Sequence, residues 1–216
     1  MTQTLETVDV ETGRDPTASI IWMHGLGADA HDFEPIVPEI ARPLARSLRF
    51  VFPNAPVRPI TVNAGFAMRA WFDLKALGGA SIAPDEPGIR ESAAAIRALI
   101  RRENDHGIPT NRIVLGGFSQ GAGLAAFTGV RHAGRLAGIV GFSGFPLLTE
   151  TLDAERSEAN ASTPVFLGHG TYDPVVDVSL GDALRSALET RGYPVEWHTY
   201  PMVHTVSIEE LNHLVE

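Results

Sequence analysis

Gly117-Phe118-Ser119-Gln120-Gly121 fits the pattern G-x-S-x-G. A serine hydroxyl is a weak nucleophile near pH 7. It becomes useful when the backbone lifts it clear of its neighbours and an imidazole takes its proton. The pattern supplies the first condition: on a sharp turn from strand to helix, a Cβ two residues before or after the serine would meet neighbouring backbone. Ser143 in Gly141-Phe142-Ser143-Gly144-Phe145 is a poorer match. Its second glycine comes one residue early, and Pro146 stands where a helix should begin.

The base and acid follow from chain order, which for a strand–turn–helix nucleophile runs Ser, then Asp or Glu, then His. Of the eight histidines, His24, His31 and His106 precede the serine. His132 follows the serine's helix too closely, and His169 lies before the loop that should carry the acid. His198 falls within the last predicted strand and His213 within the closing helix. His204, in Tyr200-Pro201-Met202-Val203-His204, passes both tests. The acid should follow the strand before the last helix–strand pair, and Asp173 in the Gly-rich turn Gly168–Pro174 is placed there. Its role would be to orient His204 and stabilise the imidazolium. Asp177 and Asp182 read as helix-start residues, and Asp153 is the weaker alternative acid. The negative oxygen of a tetrahedral intermediate needs preorganised donors. The backbone N–H of Gln120 would be one and that of Leu26, in His24-Gly25-Leu26-Gly27, the other. His24 either braces this loop or packs as an ordinary core histidine.

These residues need elements to hold them. Short apolar runs over 19–23, 48–52, 111–117, 136–142, 163–167 and 195–200 predict strands. Helices are predicted over 88–103, 120–130, 178–191 and 208–215, and an irregular one over 32–46, where prolines interrupt it. Gly192 is placed to end the helix before it. Strands alternating with helices imply an α/β architecture, a mostly parallel central sheet with helices on both faces; with G-x-S-x-G on the turn from strand to helix, the expectation is the α/β-hydrolase fold. Repeats, low-complexity tracts and linkers are absent, so residues 1–216 read as one domain. Residues 53–88 form a Pro- and Gly-rich connection with little periodicity, and connections of that length are usually functional.

Composition narrows the partners. The chain has 216 residues, a net charge of −9 and no cysteine. That excludes disulfides, thiol nucleophiles and cysteine–zinc sites, and it argues against nucleic acid. Met1–Glu11 lacks the basic start and apolar core of a signal peptide. No apolar run reaches the roughly 18 residues of a membrane span. The expectation is a soluble, cytoplasmic protein with no stable membrane anchor, no metal and no cofactor. Its oligomeric state is open.

With these residues in hand, the chain resembles the carboxylesterase and acyl-protein thioesterase family of small α/β-hydrolases. The matching stretches are WMHGLGAD (22–29), MRAWFDL (68–74), GFSQGA (117–122), FSGF (142–145), HGTYDPVV (169–176) and YPMVHTVS (200–207). The resemblance implies a triad of Ser119, Asp173 and His204, with the amides of Leu26 and Gln120 as oxyanion donors. It also implies that MRAWFDL borders an acyl pocket, so that Trp71 and Met68, with Val203 beside the base, would line it. The implied substrate is a small-molecule or lipid-like carboxylic ester, hydrolysed through an acyl-enzyme. The alternative is a thioester of an acylated protein or a lysophospholipid. A non-catalytic binding protein on this fold is disfavoured, because all three triad members are present. Two positions depart from the family: Val203 stands where it usually has glycine, and Asp177 where it often has proline.

Overall fold

The computed structural model describes residues 4–75 and 85–216. Seven strands form one sheet: β1 (Thr7–Glu11), β2 (Ser19–Met23), β3 (Arg49–Pro53), β6 (Ile113–Phe118), β7 (Gly138–Phe142), β8 (Val165–Gly170) and β9 (Val195–Tyr200). Their spatial order is β1-β3-β2-β6-β7-β8-β9. All neighbours pair parallel except β1 and β3, which are antiparallel. A separate hairpin joins β4 (Val57–Ile60) to β5 (Phe66–Arg69). The helices are α1 (Ile36–Leu44), α2 (Glu86–Asp105), α3 (Gln120–Val130), the single turn α4 (Leu152–Glu155), α5 (Val178–Glu189) and α6 (Ile208–Val215).

The apolar runs become strands buried on both faces, and their alternation assigns the helices. Ile20 and Trp22 of β2 join Ile36, Val37 and Ile40 of α1 and Leu211 of α6 in one cluster. Ile21 and Met23 join Ile89, Ile96 and Ile100 of α2 and Leu124 of α3 in the other. Successive side chains point to opposite faces, so one apolar strand seals two layers. The chain runs outward from β2 to β3 and resumes at β6 on the other side of β2. The sheet therefore has its switch point between β2 and β6. Loops leaving the carboxyl ends of two such strands diverge and leave a crevice, where ligands of open α/β sheets bind.

The structure differs from the sequence expectations in several places. Strand β1 was not anticipated. Its sequence TVDVE alternates apolar and polar residues and is only half buried, as suits an edge. The connection over 53–88 holds the β4–β5 hairpin, turned by Ala64 and Gly65 with φ of 54° and 79°; residues 76–84 of it lie outside the described residues. Helix α2 starts at Glu86, two residues earlier than predicted. Asp85 caps it by accepting from the Gly88 N–H, and Pro87 occupies its first turn. Asp177 does cap α5, accepting from the Ser179 N–H. Asp182 does not start that helix: it lies inside it and pairs with Arg185 at 2.6 Å. No described helix is long and apolar enough to cross a membrane.

Candidate active site

β6 ends at Phe118 and α3 starts at Gln120, leaving Ser119 alone to make the turn. It does so at φ 57° and ψ −117°, a conformation costly for any residue with a side chain. Three bonds hold it there: its N–H donates to Phe142 O at 2.8 Å, and its carbonyl accepts from the Ala122 and Gly123 N–H groups at 3.1 and 3.2 Å. The flanking glycines are obligatory. A Cβ on Gly117 would lie 2.5 Å from the Gly121 carbonyl carbon, and one on Gly121 would lie 2.2 Å from Met23 O. The strand thus crosses the helix start at backbone contact, and the serine stands at the N-terminus of α3. The weaker match, Ser143, also has positive φ, 50°, but no helix follows it and its hydroxyl is buried.

Parallel pairing of Met23 with Gly117 sets the next loop beside the turn. A Cβ on Gly25 would come within 3.4 Å of the Ser119 Cβ. In that loop the Gly27 N–H donates to Arg69 O at 2.8 Å and the Ala28 N–H to Gly25 O at 3.3 Å. The Leu26 N–H beside them has no protein partner among the described residues. His24 braces the loop and is a core residue as well. Burial lowers its pKa, so the ring is neutral. Nε2 accepts from the Ala55 N–H at 3.0 Å, which leaves the proton on Nδ1 to donate to Gly25 O at 2.6 Å.

Asp173 and His204 meet across the ends of β8 and β9. Asp173 Oδ2 accepts from His204 Nδ1 at 2.6 Å. Its Oδ1 accepts the N–H groups of Val175 and Val176, both at 2.9 Å. Burial acts to raise the Asp173 pKa. The His204 bond and the two backbone donors outweigh it and hold the carboxyl below the usual aspartate value. His169 lies fully buried under this turn. Its Nε2 donates to Val176 O at 2.9 Å and stands 3.6 Å from Asp173 Oδ2. Burial lowers its pKa. The His204 ring lies 4.5 Å, centroid to centroid, from that of Phe118, the residue before Ser119. Ser119 Oγ and His204 make no hydrogen bond in the structure; such bonds often tighten only with substrate bound.

The residues expected to line an acyl pocket separate. Trp71 is completely buried and reaches no solvent, so it does not wall an open pocket. Met68 is half buried, its Sδ 3.5 Å from where a Gly27 Cβ would stand. Val203 is 53% exposed and its φ is not positive, so the loop before His204 is free of left-handed strain. Asp153 sits on the surface in a bidentate pair with Arg191, at 2.8 Å for each bond, away from Ser119. An apolar groove of about 500 Å3 lies over the sheet at β2 and the amino halves of β6 to β9, flanked by Ile40 and Leu44 of α1 and Leu214 and Val215 of α6; none of Ser119, Asp173 and His204 lines it. Among the described residues, no three His, Asp or Glu side chains are placed to hold a metal ion.

Two contributions escaped the sequence reading. His169, considered only as a base, supports the turn that carries Asp173. Gln120, considered only for its backbone, uses its side chain: Oε1 accepts from the Trp71 N–H and Nε2 donates to Phe72 O, both at 2.8 Å. A signal existed for the second, because a polar residue in a wholly buried helix must find partners.

A strained serine at the sheet's switch point, between a glycine loop and an Asp–His pair, defines a serine hydrolase of the α/β-hydrolase fold. The chain belongs to the phospholipase/carboxylesterase family, which it matches over residues 5–216. It is 37% identical to an acyl-protein thioesterase 1 of Yarrowia lipolytica over 204 residues, covering 92% of this chain and 89% of that protein. It is 40% identical to an acyl-protein thioesterase 1 of Neurospora crassa, covering 91% and 83%. The crystal structure of Zea mays acyl-protein thioesterase 2 superposes with a TM-score of 0.85 at 28% identity, covering 97% of this chain and 96% of that one.

Proposed function

We propose that the protein hydrolyses acyl esters through Ser119, His204 and Asp173, and that its substrates are thioesters of acylated proteins. The observation that carries the triad is the 2.6 Å bond between Asp173 and His204, made beside the strained turn of Ser119. That bond fixes the proton on Nδ1 and leaves Nε2 to act as base.

Ser119 Oγ attacks the acyl carbon and its proton passes to His204 Nε2. The carbonyl oxygen takes the negative charge, facing the N–H groups of Leu26 and Gln120 and the positive end of α3. The bond from carbon to the leaving sulfur breaks, and the sulfur takes the proton from His204. Water then attacks the acyl-serine and gives its proton to His204. The carboxylic acid departs and Ser119 recovers its hydrogen. Asp173, held below its usual pKa, stays ionised throughout. Oxygen esters would follow the same steps. The thioester reading rests on the names of the relatives, and the oxygen-ester reading first drawn from the sequence becomes the alternative.

The test is a chain-length series of S-acyl cysteine peptides against matched O-acyl serine peptides. The expected result is a higher kcat/KM for the thioesters, with Ser119→Ala losing on the order of 10⁴-fold or more on both. A preference for the oxygen esters would return the assignment to a carboxylesterase. Unchanged turnover by Ser119→Ala would end the mechanism.

A further inference from the structure

The two amides assigned to the oxyanion lie on different loops, one after β2 and one after β6, so something must set the gap between them. Residues 69–72, which begin at the last residue of the hairpin, bond to both. On the loop side, Arg69 O accepts the Gly27 N–H at 2.8 Å. Trp71 Nε1 donates to His24 O at 2.8 Å. Leu26 lies between those two anchor points. On the other side, the Gln120 carboxamide takes the Trp71 N–H and gives its own N–H to Phe72 O, both at 2.8 Å. Gln120 is also the residue whose backbone amide is the second donor. The strap is itself held from behind: the Ser92 hydroxyl of α2 donates to Trp71 O, the Ala70 N–H donates to Pro56 O at 3.1 Å, and Arg69 Nη1 donates to Ala55 O at 3.1 Å.

We propose that Trp71 and the Gln120 side chain are positioning residues that fix the separation of the Leu26 and Gln120 amides. This rests on the assignment of those amides made above. Trp71 is fully buried, so it acts without touching substrate. The physical reason is that a donor stabilises an oxyanion only when preorganised within hydrogen-bond reach of where the charge develops. A misplacement near 1 Å costs on the order of 100-fold. A loop rich in glycine does not hold such a position by itself. The indole N–H at one end of the strap and the carboxamide at the other tie both donors to one rigid segment.

The test uses a trifluoromethyl ketone labelled with 13C at its carbonyl carbon. Ser119 Oγ adds to it, giving a hemiketal whose oxygen occupies the oxyanion position, and NMR reads the pKa of that oxygen directly. Trp71→Phe keeps an aromatic ring and removes the indole N–H. The expected result is a fall in kcat of about tenfold, KM within about twofold, and a hemiketal pKa raised by about one unit, the same tenfold. Ser92→Ala loosens the strap from α2, far from substrate, and should move both quantities together by a few-fold; it carries the test if Trp71→Phe does not fold. A fall in kcat with an unchanged hemiketal pKa would overturn the proposal, as would wild-type values of both in the folded variants. Fluorophosphonate labelling of the wild type separates the two levels. Failure to label Ser119 would sink the proposed mechanism, whereas labelling of Ser119 with an unmoved hemiketal pKa would sink the strap alone.

Discussion

Asp173 spends one carboxylate oxygen on its own turn and the other on His204: Oδ1 takes the Val175 and Val176 N–H groups, and Oδ2 takes His204 Nδ1 at 2.6 Å. The division matters, because the turn holds the carboxylate still while the second oxygen holds the imidazole. Asp173→Asn keeps the shape and offers Nδ1 an amide in place of an anion. The ring can then take the wrong tautomer and its charged form loses support. We expect kcat to fall on the order of 10⁴-fold with KM little changed. Steady-state kinetics on one short-chain ester check this, and a loss below tenfold would remove Asp173 from the triad.

His169 supports the same turn from below through its bond to Val176 O. It is fully buried and its Nε2 is committed to that carbonyl, so its role is to hold the turn rather than to carry the serine proton. His169→Gln should therefore lower kcat about tenfold through a shifted acid, together with a lower Tm. His204→Ala should lose activity almost wholly with the Tm nearly kept. If the two variants exchanged these behaviours, the base would be His169.

How far this site was legible follows from the kind of information each residue needed. The turn at Ser119 was legible because it depends on glycines at fixed spacing, and the clashes that require them are local to that spacing: Gly117 and Gly121 meet backbone that any strand–turn–helix would bring there. Asp173 and His204 were picked by chain order, and the structure brings the two together at 2.6 Å across the ends of neighbouring parallel strands. Trp71 was not. An aromatic in an irregular segment reads equally as pocket wall or brace, and only the path of the His24 carbonyl, 47 residues away in sequence, decides between them. Strand β1 escaped because an edge strand with acidic residues carries little apolar signal. The hairpin escaped because Pro59 and the exposed Val57 and Phe66 break the apolar alternation that marks a strand.

Glu210, in the first turn of α6, is fully buried, and neither carboxylate oxygen has a hydrogen-bond partner among the described residues. It lies against Gly168, where a Cβ would stand 2.1 Å from Oε1. Burial pushes its pKa up to about 8; the nearby Ser207 N–H, outside hydrogen-bonding geometry, offsets only part of this. The folded chain thus holds a proton that the unfolded chain, at the ordinary glutamate value of 4.5, has already lost. Stability from this group is full below about pH 4.5 and is lost as the pH rises to about 8. Glu210→Gln removes the titration. It should flatten the fall in Tm across that window and be the more stable protein at pH 7.5, by on the order of 2–4 kcal/mol before any change in packing. Parallel Tm curves for the two proteins from pH 4.5 to 8.5 would refute it.

Val203 precedes His204, the proposed base, at a position where the family resemblance read from the sequence leads one to expect glycine. A glycine at such a place invites positive φ, yet the six non-glycine residues with positive φ among those described do not include Val203. The chain therefore reaches His204 through ordinary backbone, and the position carries no strain for a glycine to relieve. The constraint lies opposite: a Cβ on Gly170 would stand 2.3 Å from Met202 O and 2.7 Å from Val203 O, so the loop packs its carbonyls directly onto β8. Val203 itself is 53% exposed. Val203→Gly should keep kcat on small esters within a few-fold, because His204 retains its bond to Asp173. It should lower stability by about 0.5–1 kcal/mol, chiefly by freeing the unfolded chain. It should also admit a bulkier substrate, because it removes an exposed branched side chain next to the base. Kinetics on acetyl and pivaloyl esters with a denaturant titration check all three. A rise in both stability and small-ester turnover would mean that the loop is strained after all.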